Sequence, residues 1–131
     1  MSAILIDHVS RQFSQATAPA VDDVSLTVEQ GSFVTLLGPS GCGKTTLLKM
    51  INRLYEPTSG HIFVNGEDTA TVSPTHLRRH IGYVIQQTGL FPHMRVEDNI
   101  AAVPRLLGWE KARSDARVDE MLALVGLPLS Y

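Results

Sequence analysis

Apolar residues along this chain first recur with a period of two. Residues 3–9 (Ala-Ile-Leu-Ile-Asp-His-Val) read as a strand. Residues 21–29 read as a second, with Val24, Leu26 and Val28 alternating against Ser25, Thr27 and Glu29. Gln30-Gly31 turns the chain into Ser32-Phe-Val-Thr-Leu-Leu37, a third strand-like run. The period then lengthens: Leu47, Leu48, Ile51, Leu54 and Tyr55 form one stripe of a helix. The cluster Glu56-Pro-Thr-Ser-Gly60 breaks that helix. His61-Ile-Phe-Val64 is a further strand, and Asn65-Gly66 is a strong tight-turn signal. Ser73-Pro74 predicts an N-cap followed by proline at the first helical position, opening a short helix through Arg79. Ile81-Gly-Tyr-Val-Ile-Gln86 predicts another strand, and residues 88–95 a loop. Beyond it Val96, Ile100, Val103 and Leu107 mark one helical face, with Pro104 expected to kink or split the helix and Gly108 to end it. Residues 111–125 predict a last helix whose buried face is Val118, Met121, Leu122 and Val125, stopped by Gly126 and Pro128.

Composition narrows the class. The chain has 131 residues, 44% hydrophobic and 18% charged, which suits a globular domain with a modest core. A net charge of −2 gives no basic field for nucleic acid. The one tight basic cluster, Arg78-Arg79-His80, reads as a solvated helix end. No apolar run reaches the ~20 residues of a membrane span, so no direct membrane insertion is expected. The first seven residues lack a basic start and meet Asp7 early, so no signal peptide is expected. The single cysteine, Cys42, excludes an internal disulfide and fits a reducing cytoplasm.

The chemistry concentrates in Gly38-Pro39-Ser40-Gly41-Cys42-Gly43-Lys44-Thr45-Thr46, which reads G-x-x-x-x-G-K-[ST]. Glycines let backbone N–H groups close around an anion as a nest. The loop feeds a helix whose free N–H groups and positive dipole end also favour phosphate. Lys44 adds a mobile cation for the β- and γ-phosphates, and the Thr45 hydroxyl can ligate Mg²⁺. Thr46 contributes at most a backbone contact. Strand, glycine loop and helix follow one another as this motif requires. Residues 3–7 also imitate a strand ending in a metal-holding Asp, but they alternate onward into His8 and Val9 and lie before the phosphate loop.

The order of Gly38–Thr46, Glu56–Gly60, Ile81–Gln86 and Leu90-Phe91-Pro92-His93 resembles the ATP-binding subunits of ABC transporters. More narrowly, Leu48-Lys-Met-Ile-Asn-Arg-Leu54, the run from Tyr83 to His93, and Val103-Pro-Arg-Leu-Leu-Gly-Trp109 look like the subgroup that energises import of osmoprotectants such as glycine betaine, choline or carnitine. The resemblance implies an α/β P-loop ATPase core with an N-terminal antiparallel β subdomain and the start of a helical subdomain, truncated. It places the antiparallel subdomain and nucleotide-binding core in residues 1–87, and the Q-loop and first helices of the α-helical subdomain in 88–131, both incomplete. It implies ATP and Mg²⁺ as ligands. Phe13 stands where the family has an aromatic, usually Tyr, that stacks on adenine. Gln86 matches the glutamine that touches Mg²⁺ and the attacking water. Gln87 could replace it by a shift of one, and strand alternation would let only one of them face the site. Leu90, Phe91, Pro92 and His93 match the surface where a transmembrane permease subunit docks, and the full-length protein would pair with a second ATP-binding subunit as a homodimer. The expected location is cytoplasmic, peripheral at the inner face of the cell membrane. Taken alone, His93 reads as a surface residue and Trp109 as helix packing.

In this family hydrolysis also needs an Asp after a hydrophobic strand, a following Glu, a later His and a Leu-Ser-Gly-Gly-Gln signature. These 131 residues contain none of them in that form. They are therefore expected to bind nucleotide without turning it over. Two alternatives stay open: a nucleotide-binding module that never hydrolyses, and another P-loop enzyme such as a small-molecule kinase.

Overall fold

The computed structural model describes residues 2–87 and 89–129. Met1, Thr88, Ser130 and Tyr131 lie outside the described residues, and with them the expected first residue of the 88–95 loop and of the second domain. The chain forms two compact units, 1–83 and 84–131.

The first unit is built on an antiparallel sheet of order β2-β1-β3-β4, from β1 (Ser2–Arg11), β2 (Val21–Glu29), β3 (Ser59–Val64) and β4 (Glu67–Asp68). The helix α1 (Lys44–Ile51) supplies Leu47 and Met50 to the core, which they share with Ile6, Val9, Val21 and Ile62. Ile6 and Val9 are three residues apart, so strict alternation would put them on opposite faces. A bulge reconciles them: His8 takes φ 48°, and the register with β2 shifts between Ile6 and Val9. β2 answers with its own bulge, Asp23 at φ 47°, between the core residues Val21 and Val24. The two irregularities brace each other. The His8 N–H donates to Ser25 Oγ at 3.0 Å and the Asp23 N–H to Ser10 Oγ at 2.8 Å. His8 Nδ1 lies 2.8 Å from Asp23 Oδ1. Asp7 is exposed on this bulge and not at the end of a buried strand.

Gly60 faces the same bulge from β3. Its φ is +82°, and a Cβ there would lie 2.2 Å from the His8 carbonyl oxygen. The Asn65-Gly66 turn forms as expected, both residues with positive φ (51° and 84°), and hands the chain to β4. The short helix α2 (Pro74–Arg79) also forms as expected. Ser73 Oγ accepts the His76 N–H at 3.2 Å, with Pro74 in the first turn.

Two expected strands do not form. Residues 32–37 and 81–86 carry no ladder, and Phe33 and Leu37 are each 91% exposed while Val84 is 96% exposed. A strand's stability comes from cross-strand neighbours and a covered face. Among the described residues no strand pairs with either run.

The second unit holds α3 (Val96–Leu106) and α4 (Lys111–Leu124). Their shared core is Ala101, Val118 and Leu122, with Ile100 packed against it. Val103 and Val125, expected to face inward, are 56% and 66% exposed. Leu107 is 38% exposed and Met121 is half-buried, so neither is a core residue. The inward stripe of α3 runs through Ala101 and the buried Pro104 instead. Nor does Pro104 split α3. It sits in the last turn, where the helix ends two residues later and the missing N–H disturbs little beyond it.

Two measurements test this sheet. Gly60→Ala is expected to cost at least about 2 kcal/mol, left-handed strain plus displaced backbone, and Gly66→Ala only ~1 kcal/mol, because a Cβ at Gly66 meets nothing. Equal urea midpoints for the two variants would remove the close approach to His8. The Asp23 carboxylate, by hydrogen bond and charge, raises the His8 pKa above its ordinary 6.5. The pair's contribution to stability is complete below 6.5 and is lost as pH rises through the raised value. An NMR titration is expected to place His8 above 6.5 and to lower it toward the ordinary value in Asp23→Asn, where the weaker pull of Asp7 remains. A His8 midpoint unmoved by that substitution would dismiss the pair.

Candidate nucleotide-binding site

The glycine loop is shaped by two left-handed residues, Gly41 at φ 83° and Gly43 at φ 97°. Gly43 caps α1 without any side-chain cap, so the first-turn N–H groups are left for another acceptor. A Cβ at Gly41 would stand in open space, so it is the left-handed φ and not crowding that calls for glycine there. At Gly43 a Cβ would lie 2.1 Å from the Ala20 carbonyl oxygen, so the loop is pressed against the start of β2. Lys44 reaches back across the loop. Its ammonium donates to the carbonyls of Gly38 at 2.8 Å and Pro39 at 2.7 Å, and lies 3.4 Å from Cys42 Sγ. Thr45 is exposed in the first turn of α1, and Thr46 beside it is half-buried. Pro39 and Ser40 are exposed on the loop itself.

A cavity of about 530 Å³ opens beside this loop, lined by Cys42, Gly43 and Lys44 together with Ala20, Asp22 and Leu37, among others. Nest, helix start, lysine and hydroxyl therefore occur together in one unit, and the donor set fits a polyphosphate with its Mg²⁺.

Phe13 is half-buried on the loop after β1. It meets Tyr55 edge-on, with ring centroids 5.3 Å apart. The Arg11 guanidinium lies 4.7 Å from the Phe13 centroid and donates from Nη1 to the Glu56 carbonyl at 2.8 Å. One face of Phe13 is thus backed by a cation. Arg11 was legible only as the residue two before Phe13, on the same side of an extended chain.

Gln86 and Gln87 are both exposed in a bend of the second unit. Because residues 81–86 form no strand, no pleat selects one glutamine over the other. Leu90 and Phe91 are 68% and 50% exposed. With Pro92, Met94, Val96 and Ile100 they line an apolar hollow of about 300 Å³. His93 is exposed, its ring 6.1 Å from that of Phe91. Trp109 packs under the Arg113 guanidinium at 3.8 Å. Sequence reading missed Asn99, whose side chain holds the 91–95 segment through four hydrogen bonds. Its one signal was an asparagine, a poor helix former, inside a helical pattern.

Comparison with known proteins places this geometry. A family model described as ABC transporter matches residues 21–130. The osmoprotectant import ATP-binding protein OsmV of Salmonella typhimurium is 54% identical over 127 residues, 95% of this chain and 33% of that protein. The glycine betaine/carnitine/choline transport ATP-binding protein OpuCA of Bacillus subtilis is 52% identical over 126 residues, 96% of this chain and 33% of that protein. The chain thus spans about a third of the length of these curated relatives. Among solved structures, the ATP-binding cassette MJ0796, a post-hydrolysis dimer with ADP and phosphate, superposes with a TM-score of 0.82 at 25% identity, over 98% of this chain and 59% of that one.

Cys42 offers a local test of the site. Its exposed sulfur lies 3.4 Å from the Lys44 ammonium, so an alkyl group there intrudes on the lysine's position. Complete alkylation with iodoacetamide is expected to weaken Mg-ATP binding by about tenfold or more, the loss of one charge-assisted contact. Unchanged affinity by calorimetry would show that the thiol stands clear of the ligand.

Proposed function

The chain belongs to the ABC transporter family, and from that membership we propose that it is the nucleotide-binding part of an ATP-driven importer of an osmoprotectant. The observation that carries the reading is the loop 38–45, with left-handed Gly41 and Gly43 and Lys44 arched over it. The backbone N–H groups of the loop and of the first turn of α1 hold the β- and γ-phosphates. Lys44 exchanges its loop carbonyls for phosphate oxygens, a stronger charge-assisted contact. The Thr45 hydroxyl would hold the Mg²⁺, which when bound neutralises charge on the phosphates. Phe13 stacks on the adenine through the face that Arg11 does not occupy.

The division of labour follows the chain: the first unit holds the nucleotide through its phosphate loop, and the second carries Gln86 and the partner surface. The hollow bordered by Leu90, Phe91 and Pro92 takes an apolar segment of a transmembrane permease subunit, and exposed Phe and Leu beside Pro suit such a contact. The protein works at the cytoplasmic face of the membrane as a pair of ATP-binding subunits. The dimeric cassette among the solved structures supports the pairing, and the relatives named for osmoprotectant import support the importer role. The solute class is a small quaternary amine, as in the relatives named for glycine betaine, carnitine and choline.

Residues 1–131 by themselves bind Mg-ATP without turning it over, because phosphoryl transfer depends on positioned water and charge beyond the phosphate loop. Lys44→Ala is expected to weaken binding by about 10- to 100-fold, measured by calorimetry. Turnover by this polypeptide that vanishes in Lys44→Ala would overturn the non-hydrolysing half. In cells, Lys44→Ala in the full-length protein is expected to abolish uptake of labelled glycine betaine, choline and carnitine. Uptake of all three that persists would overturn the solute class.

A further inference from the structure

We propose that Asn99 is the positioning residue of the permease-docking surface, an inference that rests on the docking reading above. Asn99 lies in the first turns of α3, yet its side chain does not serve that helix's free N–H groups. It turns back to the preceding segment. Asn99 Oδ1 accepts the Phe91 N–H at 2.7 Å. The two Nδ2 hydrogens are shared among the carbonyls of Phe91 at 3.2 Å, Met94 at 3.2 Å and Arg95 at 3.0 Å. One amide thus fixes both polar groups of Phe91, the residue that shapes the hollow, and the segment's far end at Arg95. A turn bond from the Met94 N–H to the Phe91 carbonyl, 3.1 Å, closes the segment between them.

The chemistry calls for an amide. Serving one N–H and three carbonyls needs an acceptor and two donors on a single planar group, which only Asn and Gln carry. Glutamine is a methylene longer and would push the 91–95 segment outward. Asparagine costs helix propensity at an interior position, so its place in α3 is explained by what it holds and not by the helix. Without it Leu90 and Phe91 would still be exposed, but with only the Met94–Phe91 turn bond to hold the backbone beneath them. An apolar contact surface then loses its shape complementarity before it loses its composition.

The test uses the full-length ATPase with its membrane subunits, comparing wild type, Asn99→Ala and Asn99→Asp. Asn99→Ala is expected to speed amide exchange at Phe91 by about tenfold or more, and to lower permease-stimulated ATP turnover by a similar factor. Exchange in α4 and the affinity for Mg-ATP should stay within about twofold, readouts that a general loss of structure would move. Asn99→Asp keeps the acceptor for the Phe91 N–H and loses both donors. It should retain Phe91 protection while stimulation still falls, and it covers the case in which the alanine variant fails to fold. Unchanged stimulation in Asn99→Asp, or unchanged Phe91 exchange in Asn99→Ala, overturns the proposal. A Leu90→Ala, Phe91→Ala double variant separates the two levels. If it loses stimulation while Asn99→Ala does not, docking stands and Asn99 is dismissed; if it keeps full stimulation, the docking reading falls and the positioning role with it.

Discussion

The close approach of Gly43 to the Ala20 carbonyl is the constraint on which the first unit turns. Loop, helix start and sheet edge meet there at a separation that no side chain tolerates. Gly43 is at once the end of the phosphate loop, the cap of α1 and the floor against the start of β2. The left-handed φ that forms the anion nest and the absent Cβ that admits Ala20 are met by the same residue. A motif usually read as a ligand signature is therefore also a packing requirement. The position of Leu47 and Met50 in the core follows from where Gly43 starts the helix.

A second constraint feeds the first. The paired bulges at His8 and Asp23 each add one residue to a strand, and together they restore the register. They turn Ile6, Val9, Val21 and Val24 to one side, the side that α1 covers. Val21 is also the residue after Ala20, so the bulge that sets β2's start sets the height of the carbonyl meeting Gly43. Gly60 completes the arrangement by letting β3 cross the His8 carbonyl without a Cβ between them. The site's shape thus depends on two polar, exposed residues outside the phosphate loop.

How much of this was legible follows from the range of each interaction. β2, α2 with its Ser73 cap, the Asn65-Gly66 turn and α4 are written in local pattern, because caps, turns and periodicity act within a few residues. The phosphate loop was legible for the same reason. The runs 32–37 and 81–86 have strong β composition and still form no ladder. Composition says that a segment fits a pleated surface, and only a neighbouring strand supplies that surface. The inward stripe of α3 was misplaced because Val96, Val103 and Leu107 are more apolar than Ala101 and Pro104, while packing between two short helices selects small residues that let them approach. Ala20's carbonyl carries no pattern, since its meeting with Gly43 joins residues far apart in the chain, and the Arg11 guanidinium behind Phe13 shows only as the i, i+2 spacing of an extended chain.

The aromatic site shows where the family's pattern and this chain diverge in chemistry. Phenylalanine in place of the usual tyrosine gives up the hydroxyl, and with it one way of fixing the ring. Here the ring is fixed otherwise, by the edge of Tyr55 and by Arg11, which is itself tied to the Glu56 carbonyl. A cation on one face of a ring draws electron density toward it and leaves the other face the better partner for an electron-rich purine. The same contact confines the ring to one orientation, so less freedom is lost when a base stacks on it. Tyr55 and Glu56 lie just beyond α1, so the proposed adenine contact and the phosphate loop are anchored at opposite ends of one short helix. Spacing between base and phosphate is then set by helix length, the most rigid ruler this unit possesses.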